Sequence, residues 1–148
     1  MVQQSKYAHI LVPVDGSQES LRAVRLAGGV AAVTASEVHL LYVSPFDAST
    51  DEGDVPWLPA SIVRPAAEEA HEIFAAAEAL LPEGTVHMRH HRTGIPAEEI
   101  LRFIDEVGVE LVVIGGRKLS RVSGFLLGSV TQAVLEHAHS SVMVAGSA

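Results

Sequence analysis

Cysteine is absent from the 148 residues of this sequence. The chain therefore cannot form disulfides, thiolate nucleophiles, cysteine-held iron–sulfur clusters or cysteine-type zinc sites. Long apolar runs are absent as well: no segment approaches the roughly 20 residues of a membrane helix, and residues 1–6 lack the apolar stretch of a secretory signal. Hydrophobic residues nonetheless make up 48% of the chain. These features predict a soluble, cytoplasmic protein with a substantial core and no membrane partner.

Basic residues are scarce, and their shortage is local. The formal net charge is −8, and residues 47–83 contain nine acidic residues against a single base, whereas the rest of the chain is balanced. That acidic segment is poorly suited to contact nucleic acid or anionic lipid. The one basic cluster comprises Arg117, Lys118 and Arg121. Three cations are too few for a DNA footprint but sufficient for one small polyanion.

Short apolar segments rich in β-branched residues alternate along the chain with segments of helical period. Strands are predicted at residues 8–14, 37–43, 85–92, 110–114 and 142–145, and helices at residues 18–34, 62–81, 96–107 and 130–138. This alternation predicts a parallel sheet with helices on both faces, in an open doubly wound α/β fold. Residues 46–61 are predicted to form a loop. Residues 1–148 contain no recognisable linker and are predicted to form a single domain.

The chemistry is predicted to lie where the first and fourth strands end, because ligands bind at the carboxyl ends of such sheets. Asp15-Gly16-Ser17 follows the first strand, and its acidic side chain can accept hydrogen bonds from a ribose or a base amine. Ser17 is predicted to be the N-cap of the first helix. A glycine-containing loop from Gly115 follows the fourth strand and leads to Gly128 and Ser129. Its backbone N–H groups can approach phosphate oxygens.

The start of the last helix adds to this hypothesis. Ser129-Val130-Thr131-Gln132 fits the S-x-x-Q capping box, which predicts Ser129 as the N-cap. A helix N-terminus is a ready anion site. From these residues alone, a phosphate site and an ordinary connecting loop both remain open.

These motifs together resemble the universal stress protein family over residues 7–146. The matching segments are ILVPVDGS (residues 10–17), LLYVSP (40–45), G-x-P (94–96), VVIG (112–115), LLGSV (126–130) and VMV (142–144). The resemblance implies a five-stranded parallel sheet of order 3-2-1-4-5, of the adenine nucleotide alpha-hydrolase-like kind. It also implies a stress-response regulatory protein that forms a homodimer and acts through a protein partner.

ATP-binding members of that family carry the pattern G-x-x-G-x9-G-[ST] after the fourth strand. Gly115, Gly128 and Ser129 match three of its four fixed positions, but Lys118 stands where the second glycine is expected. One interpretation is that the lysine blocks close approach of the phosphates to the backbone. The other is that its ammonium group pairs with a phosphate. Both remain open.

The resemblance implies a set of ligand-binding residues for ATP, with Mg²⁺ as an accompanying ion. Asp15 and Val43 would meet the ribose and the adenine, and the later glycines and the last helix would hold the phosphates. The full candidate set is Pro13, Val14, Asp15, Val43, Gly115, Arg117, Lys118, Gly128, Ser129 and Val130. No catalytic base is identifiable, so hydrolysis would be slow at most. The alternative is a dimeric interaction protein that binds no nucleotide and pairs through its last strand, which covers the exposed sheet edge.

Two simpler interpretations concern Asp15 and the histidines. In the first, Asp15 serves simply to cap the first helix or its turn and contacts no ligand. His87, His90 and His91 lie on one predicted strand. Because neighbouring strand residues point to opposite faces, His90 and His91 cannot easily share one ion. No metal site is predicted.

Overall fold

The structure, a computed structural model, describes residues 8–44, 60–116 and 128–146, with the backbone alone for residues 60–66. The strands are β1 (His9–Pro13), β2 (Glu37–Ser44), β3 (His87–Thr93), β4 (Leu111–Gly115) and β5 (Ser141–Ala145), and the helices are α1 (Gln18–Thr34), α2 (Ala60–Glu78), α3 (Pro96–Val107) and α4 (Ser129–His137). Most of the predicted 46–61 loop lies outside the described residues, as do Arg117, Lys118 and Arg121. Within the described ranges, no helix combines the length and apolar character needed to cross a bilayer.

The five strands form one sheet of order β3-β2-β1-β4-β5. All four neighbouring pairs are parallel. The predicted doubly wound fold and its strand order are therefore confirmed. Because the strand order reverses between β1 and β4, the loops after these two strands diverge and leave a crevice at their carboxyl ends.

Each face of the sheet carries its own core. On the first face, Ile10 and Val12 of β1 pack with residues of α1 and α2 such as Val24 and Phe74. On the second face, Leu11 of β1 packs with residues of α3 and α4. This division follows from the alternation of side chains along a strand. Burying one such side chain stabilises the fold by about 1.5–3 kcal/mol.

The two helices on the second face, α3 and α4, complete its core. Ile100 and Ile104 of α3 are buried there, and Leu101 and Val107 are partly buried. Phe103 also belongs to this core, with only 1% of its surface exposed.

Three imidazoles cross the second face, one from each of β1, β2 and β3. His9 Nδ1 lies 3.1 Å from His39 Nε2, and His39 Nδ1 lies 2.9 Å from His90 Nε2. Burial lowers the pKa of His39, whose surface is 2% exposed, and burial likewise lowers the pKa of His90. His91 stacks on Tyr42, a residue of the first-face core, which confirms that His90 and His91 point to opposite faces.

The end of α2 lies against α1 with little free space. The predicted helix ran to residue 81, but the helix ends at Glu78 because Leu80 and Leu81 donate to carbonyl groups three residues back, at 3.0 and 3.1 Å. This tighter turn leads into Pro82. A Cβ atom built on Gly28 of α1 would lie 2.7 Å from Pro82 Cδ, whereas one built on Gly29 has no heavy atom within 4 Å.

These two adjacent glycines should respond oppositely to alanine. Gly28→Ala should lower the free energy of unfolding by about 1–3 kcal/mol, because the rigid Pro82 ring has no room for a methyl group. Gly29→Ala should raise it by about 0.5–1 kcal/mol, because alanine loses less conformational freedom in a helix than glycine. Urea unfolding of both variants measures the difference. Equal shifts of the two midpoints would contradict the packing described for α1.

Candidate functional site

A cleft of about 300 Å³ opens at the carboxyl ends of β1 and β4. All eight sequence-predicted site residues that the structure describes line it: Pro13, Val14, Asp15, Val43, Gly115, Gly128, Ser129 and Val130. The other two, Arg117 and Lys118, lie outside the described residues. The structure thus brings together residues more than 100 positions apart in the sequence.

One wall of the cleft is the turn between β1 and α1. Asp15 Oδ1 accepts a hydrogen bond from the Ser17 backbone N–H at 2.9 Å. Ser17 is the N-cap, as predicted, and its Oγ accepts from the Ser20 N–H at 3.2 Å. Gly16 between them has a φ of +84°, a conformation that favours glycine. Asp15 therefore stabilises its own turn while its side chain lines the cleft.

The opposite wall begins at Gly115, where β4 ends. A Cβ atom at this position would overlap the backbone carbonyl of Glu19 and lie 2.9 Å from the Glu19 Cβ. Only glycine allows the first turn of α1 to pack this closely on the end of β4. The Gly115 carbonyl accepts a hydrogen bond from Thr131 Oγ1 at 2.9 Å. Since Thr131 is buried, this bond fixes the first turn of α4 beside β4.

The predicted capping box at the start of α4 is wrong. The helix begins at Ser129, and its N-cap is Gly128, with a φ of +83° and no side-chain capping bond. Gln132, the fourth residue of the predicted box, donates from Nε2 to Glu136 at 3.1 Å instead. Because glycine tolerates this φ, the chain enters the helix one residue before the serine. Ser129 and Val130 therefore lie in the first helical turn, whose N–H groups have no acceptors within the helix.

The remaining lining divides into an apolar part and an acidic part. Leu41, Ile100 and Ile114 contribute aliphatic side chains. Asp15 and Glu19 are charged, and none of the described lining residues is a lysine or arginine. An apolar slot with a few convergent polar groups suits a flat organic ring, and the α4 N-terminus suits an anionic substituent.

Sequence analysis missed several lining residues. Glu19, Ile100 and Thr131 contribute to the cleft but were not predicted to do so. Glu19 lies in the first turn of the helix that follows Asp15, and Thr131 lies inside the misassigned capping motif. Glu19 and Thr131 lie close in sequence to predicted site residues, which was the available signal, whereas Ile100 lies near none of them.

The chain is similar to proteins of one family. A sequence model described as the universal stress protein family matches residues 6–146. A universal stress protein from Methanocaldococcus jannaschii is 32% identical over 146 residues, which cover 95% of this chain and 83% of that protein. The solved structure of universal stress protein UspA from Lactobacillus plantarum is 25% identical, covers 94% of this chain and 97% of its own, and has a TM-score of 0.71.

A further solved structure is a universal stress protein in complex with cAMP. It is 26% identical, covers 93% of this chain and 95% of its own, and has a TM-score of 0.64. That relative therefore holds an adenine nucleotide on a backbone similar to this one.

The hydrogen bond between α4 and β4 gives a testable prediction. Thr131→Val keeps the shape of the side chain but removes the donor to the Gly115 carbonyl, so the free energy of unfolding should fall by about 1–3 kcal/mol. Thr131→Ser retains the hydroxyl group and should lower the free energy of unfolding by a smaller amount. Urea denaturation of the two variants makes the comparison. A valine variant as stable as the wild type would show that this bond does not fix α4.

Proposed function

The chain belongs to the universal stress protein family, and from that premise we propose that it is a stress-response regulatory protein that binds an adenine nucleotide, ATP among the candidates, in the cleft at the ends of β1 and β4. The observation that carries the proposal is the pairing of two unlike walls in one cleft. The Asp15 carboxylate lies on one side and the start of α4 on the other. A cytoplasmic location is part of the proposal.

The sugar and the base would occupy the part of the cleft near β1 and β2. Leu41, Val43 and Ile100 offer apolar surface for a purine. A carboxylate has about four acceptor sites, and Asp15 would accept from ribose hydroxyl groups in addition to the Ser17 N–H. In this pose Asp15 both shapes the turn and recognises the ligand.

The phosphate groups would occupy the part near β4 and α4. Gly115 and Gly128 carry no side chains, and a Cβ added at Gly128 would meet nothing within 4 Å. The backbone of the first α4 turn can then approach phosphate oxygens. The carboxylates of Asp15 and Glu19 line the same cleft and are the ligand type that Mg²⁺ prefers. We assign no catalytic residue, so any hydrolysis of ATP would be slow.

A homodimer through β5 is a second element of the proposal. The dimer is also the functional unit in the alternative, in which the chain is an interaction protein that binds no nucleotide. β5 is an outer strand of the sheet. The Ser141 N–H donates to the Glu110 carbonyl at 3.1 Å, and the Ala145 carbonyl accepts from Gly116 at 3.0 Å. Because peptide groups alternate in direction along a strand, the backbone groups of Val142 face the opposite, outer edge, as do those of Val144. Such an edge favours pairing with another strand.

Asp15 provides the test of the nucleotide site. Asp15→Ala should weaken binding of ATP, AMP or cAMP by about tenfold or more, because hydrogen bonds to a charged group contribute about 1.5–3 kcal/mol. Asp15→Asn keeps an oxygen for the Ser17 N–H and should show a smaller loss. Calorimetric titration of each nucleotide into the nucleotide-free protein measures the change.

The matched control is Asp105→Ala, which removes an exposed carboxylate of α3 that pairs with His139 at 3.3 Å. This variant should bind nucleotide as the wild type does. Wild-type protein that gives no saturable heat with any of the three nucleotides would refute the proposal. Unchanged affinity in a folded Asp15→Ala variant would refute the role of Asp15.

The dimer is tested at the outer edge of β5. Val144→Pro removes a backbone donor that faces the outer edge, whereas the bonds from β5 to β4 remain, so the fold should tolerate it. Light scattering at micromolar concentration should give twice the chain mass for the wild type and a lower mass for the variant. A monomeric wild type would rule out the dimer, and an equally dimeric variant would move the interface elsewhere.

A further inference from the structure

A set of metal-binding atoms lies on the second face of the sheet, at the amino ends of β1 and β2. His9 and Glu37 are register partners on these two strands, and His39 lies two residues further along β2. One ligand atom from each of the three side chains falls within 4.8 Å of the others. The cleft described above lies at the other end of the same strands.

The separations suit a small divalent cation. His9 Nδ1 lies 3.1 Å from His39 Nε2 and 3.8 Å from Glu37 Oε2. A tetrahedral Zn²⁺ with Zn–N distances of about 2.0–2.1 Å places neighbouring ligand atoms about 3.4 Å apart. These two distances lie on either side of this value, and all three ligand atoms lie within 4.8 Å of one another. Rotation of the partly exposed His9 and Glu37 side chains can therefore bring the three atoms around one ion.

The surroundings of His39 provide the outer support that metal-binding histidines use. Its other ring nitrogen, Nδ1, lies 2.9 Å from His90 Nε2. When Nδ1 donates this bond, the Nε2 lone pair points toward His9 and Glu37. Second hydrogen bonds of this kind fix the tautomer and the orientation of a ligating imidazole. The ring of His90 is in turn packed against Phe103, at 4.7 Å between centroids.

We propose that His9, Glu37 and His39 form a binding site for a divalent transition-metal ion of the Zn²⁺ type. Two imidazole nitrogens and one carboxylate oxygen are a known donor set for zinc, with water as the fourth ligand. The side chains of His9 and Glu37 are 37% and 29% exposed, so an ion and its water can reach the site from solvent. His39, which is buried, supplies the fixed ligand.

The test uses the full chain without a histidine tag, stripped with a chelator and dialysed. Zn²⁺ is titrated by calorimetry, and Co²⁺ is titrated while its visible absorption is recorded. We expect one strongly bound ion per chain. We also expect the visible absorption bands of Co²⁺ to be those of an ion with four ligands. His9→Ala and Glu37→Gln alter partly exposed side chains and should fold, and each should weaken binding by at least about tenfold.

The chain contains a matched control. His137 Nε2 and Glu136 Oε2 are also 3.8 Å apart, but both side chains are well exposed, and within the described part of the chain no third metal-binding side chain joins them. His137→Ala should leave metal binding unchanged. The proposal is overturned if the wild type shows no saturable Zn²⁺ binding, if His9→Ala and Glu37→Gln bind as the wild type does, or if His137→Ala weakens binding equally. The metal titrations contain no nucleotide, so their outcome does not depend on whether the cleft binds one.

Discussion

The close packing of α1 on the end of β4 is the constraint on which the cleft depends. A side chain at Gly115 would overlap the Glu19 backbone, so the first turn of α1 can occupy its place only because that residue is glycine. The same turn begins at Ser17 and is tied to Asp15 by a hydrogen bond. The packing of α1 on the end of β4 therefore fixes the position of the Asp15 carboxylate. Thr131 then fixes α4 to the same glycine through its carbonyl. Gly115 therefore fixes the positions of both walls of the cleft relative to each other.

The alternation of apolar strands and helices was enough to predict the element order and, with the family resemblance, the strand order. The eight described candidate residues lie in one cleft because parallel strands end at a common edge of the sheet. Local sequence motifs can indicate where such strands end. The cap of α4 was misassigned because S-x-x-Q describes a serine N-cap, and the pattern takes no account of a preceding glycine at positive φ. The pairing of His9 with His39 was invisible for a different reason. These residues are 30 positions apart, and only the strand register brings them together.

If the cleft binds a nucleotide as proposed, the charge of its described part limits which nucleotide it can hold without an added cation. The carboxylates of Asp15 and Glu19 line the cleft together with a single helix N-terminus worth about half a positive charge, and Glu19 also lies 4.0 Å from Arg22. A triphosphate brings several negative charges and needs compensation from a cation such as Mg²⁺. A cyclic monophosphate brings one charge and needs far less. The acidic lining therefore favours small phosphate groups unless cations accompany the ligand.

The proposed ion site and the cleft use opposite ends of the same strands. β2 carries Glu37 and His39 at its amino end and Val43 at its carboxyl end. Val43 lies six residues after Glu37 along the strand, which corresponds to about 20 Å. At that distance two ligands share no contacts, and energetic effects at sites more than about 7–10 Å apart usually add. Coupling would need β2 itself to shift, but β2 is held by strands on both sides and by cores on both faces. The sheet therefore separates the proposed ion site from the proposed nucleotide site, so an ion bound at the first should add stability to the fold without altering the affinity of the second for a nucleotide.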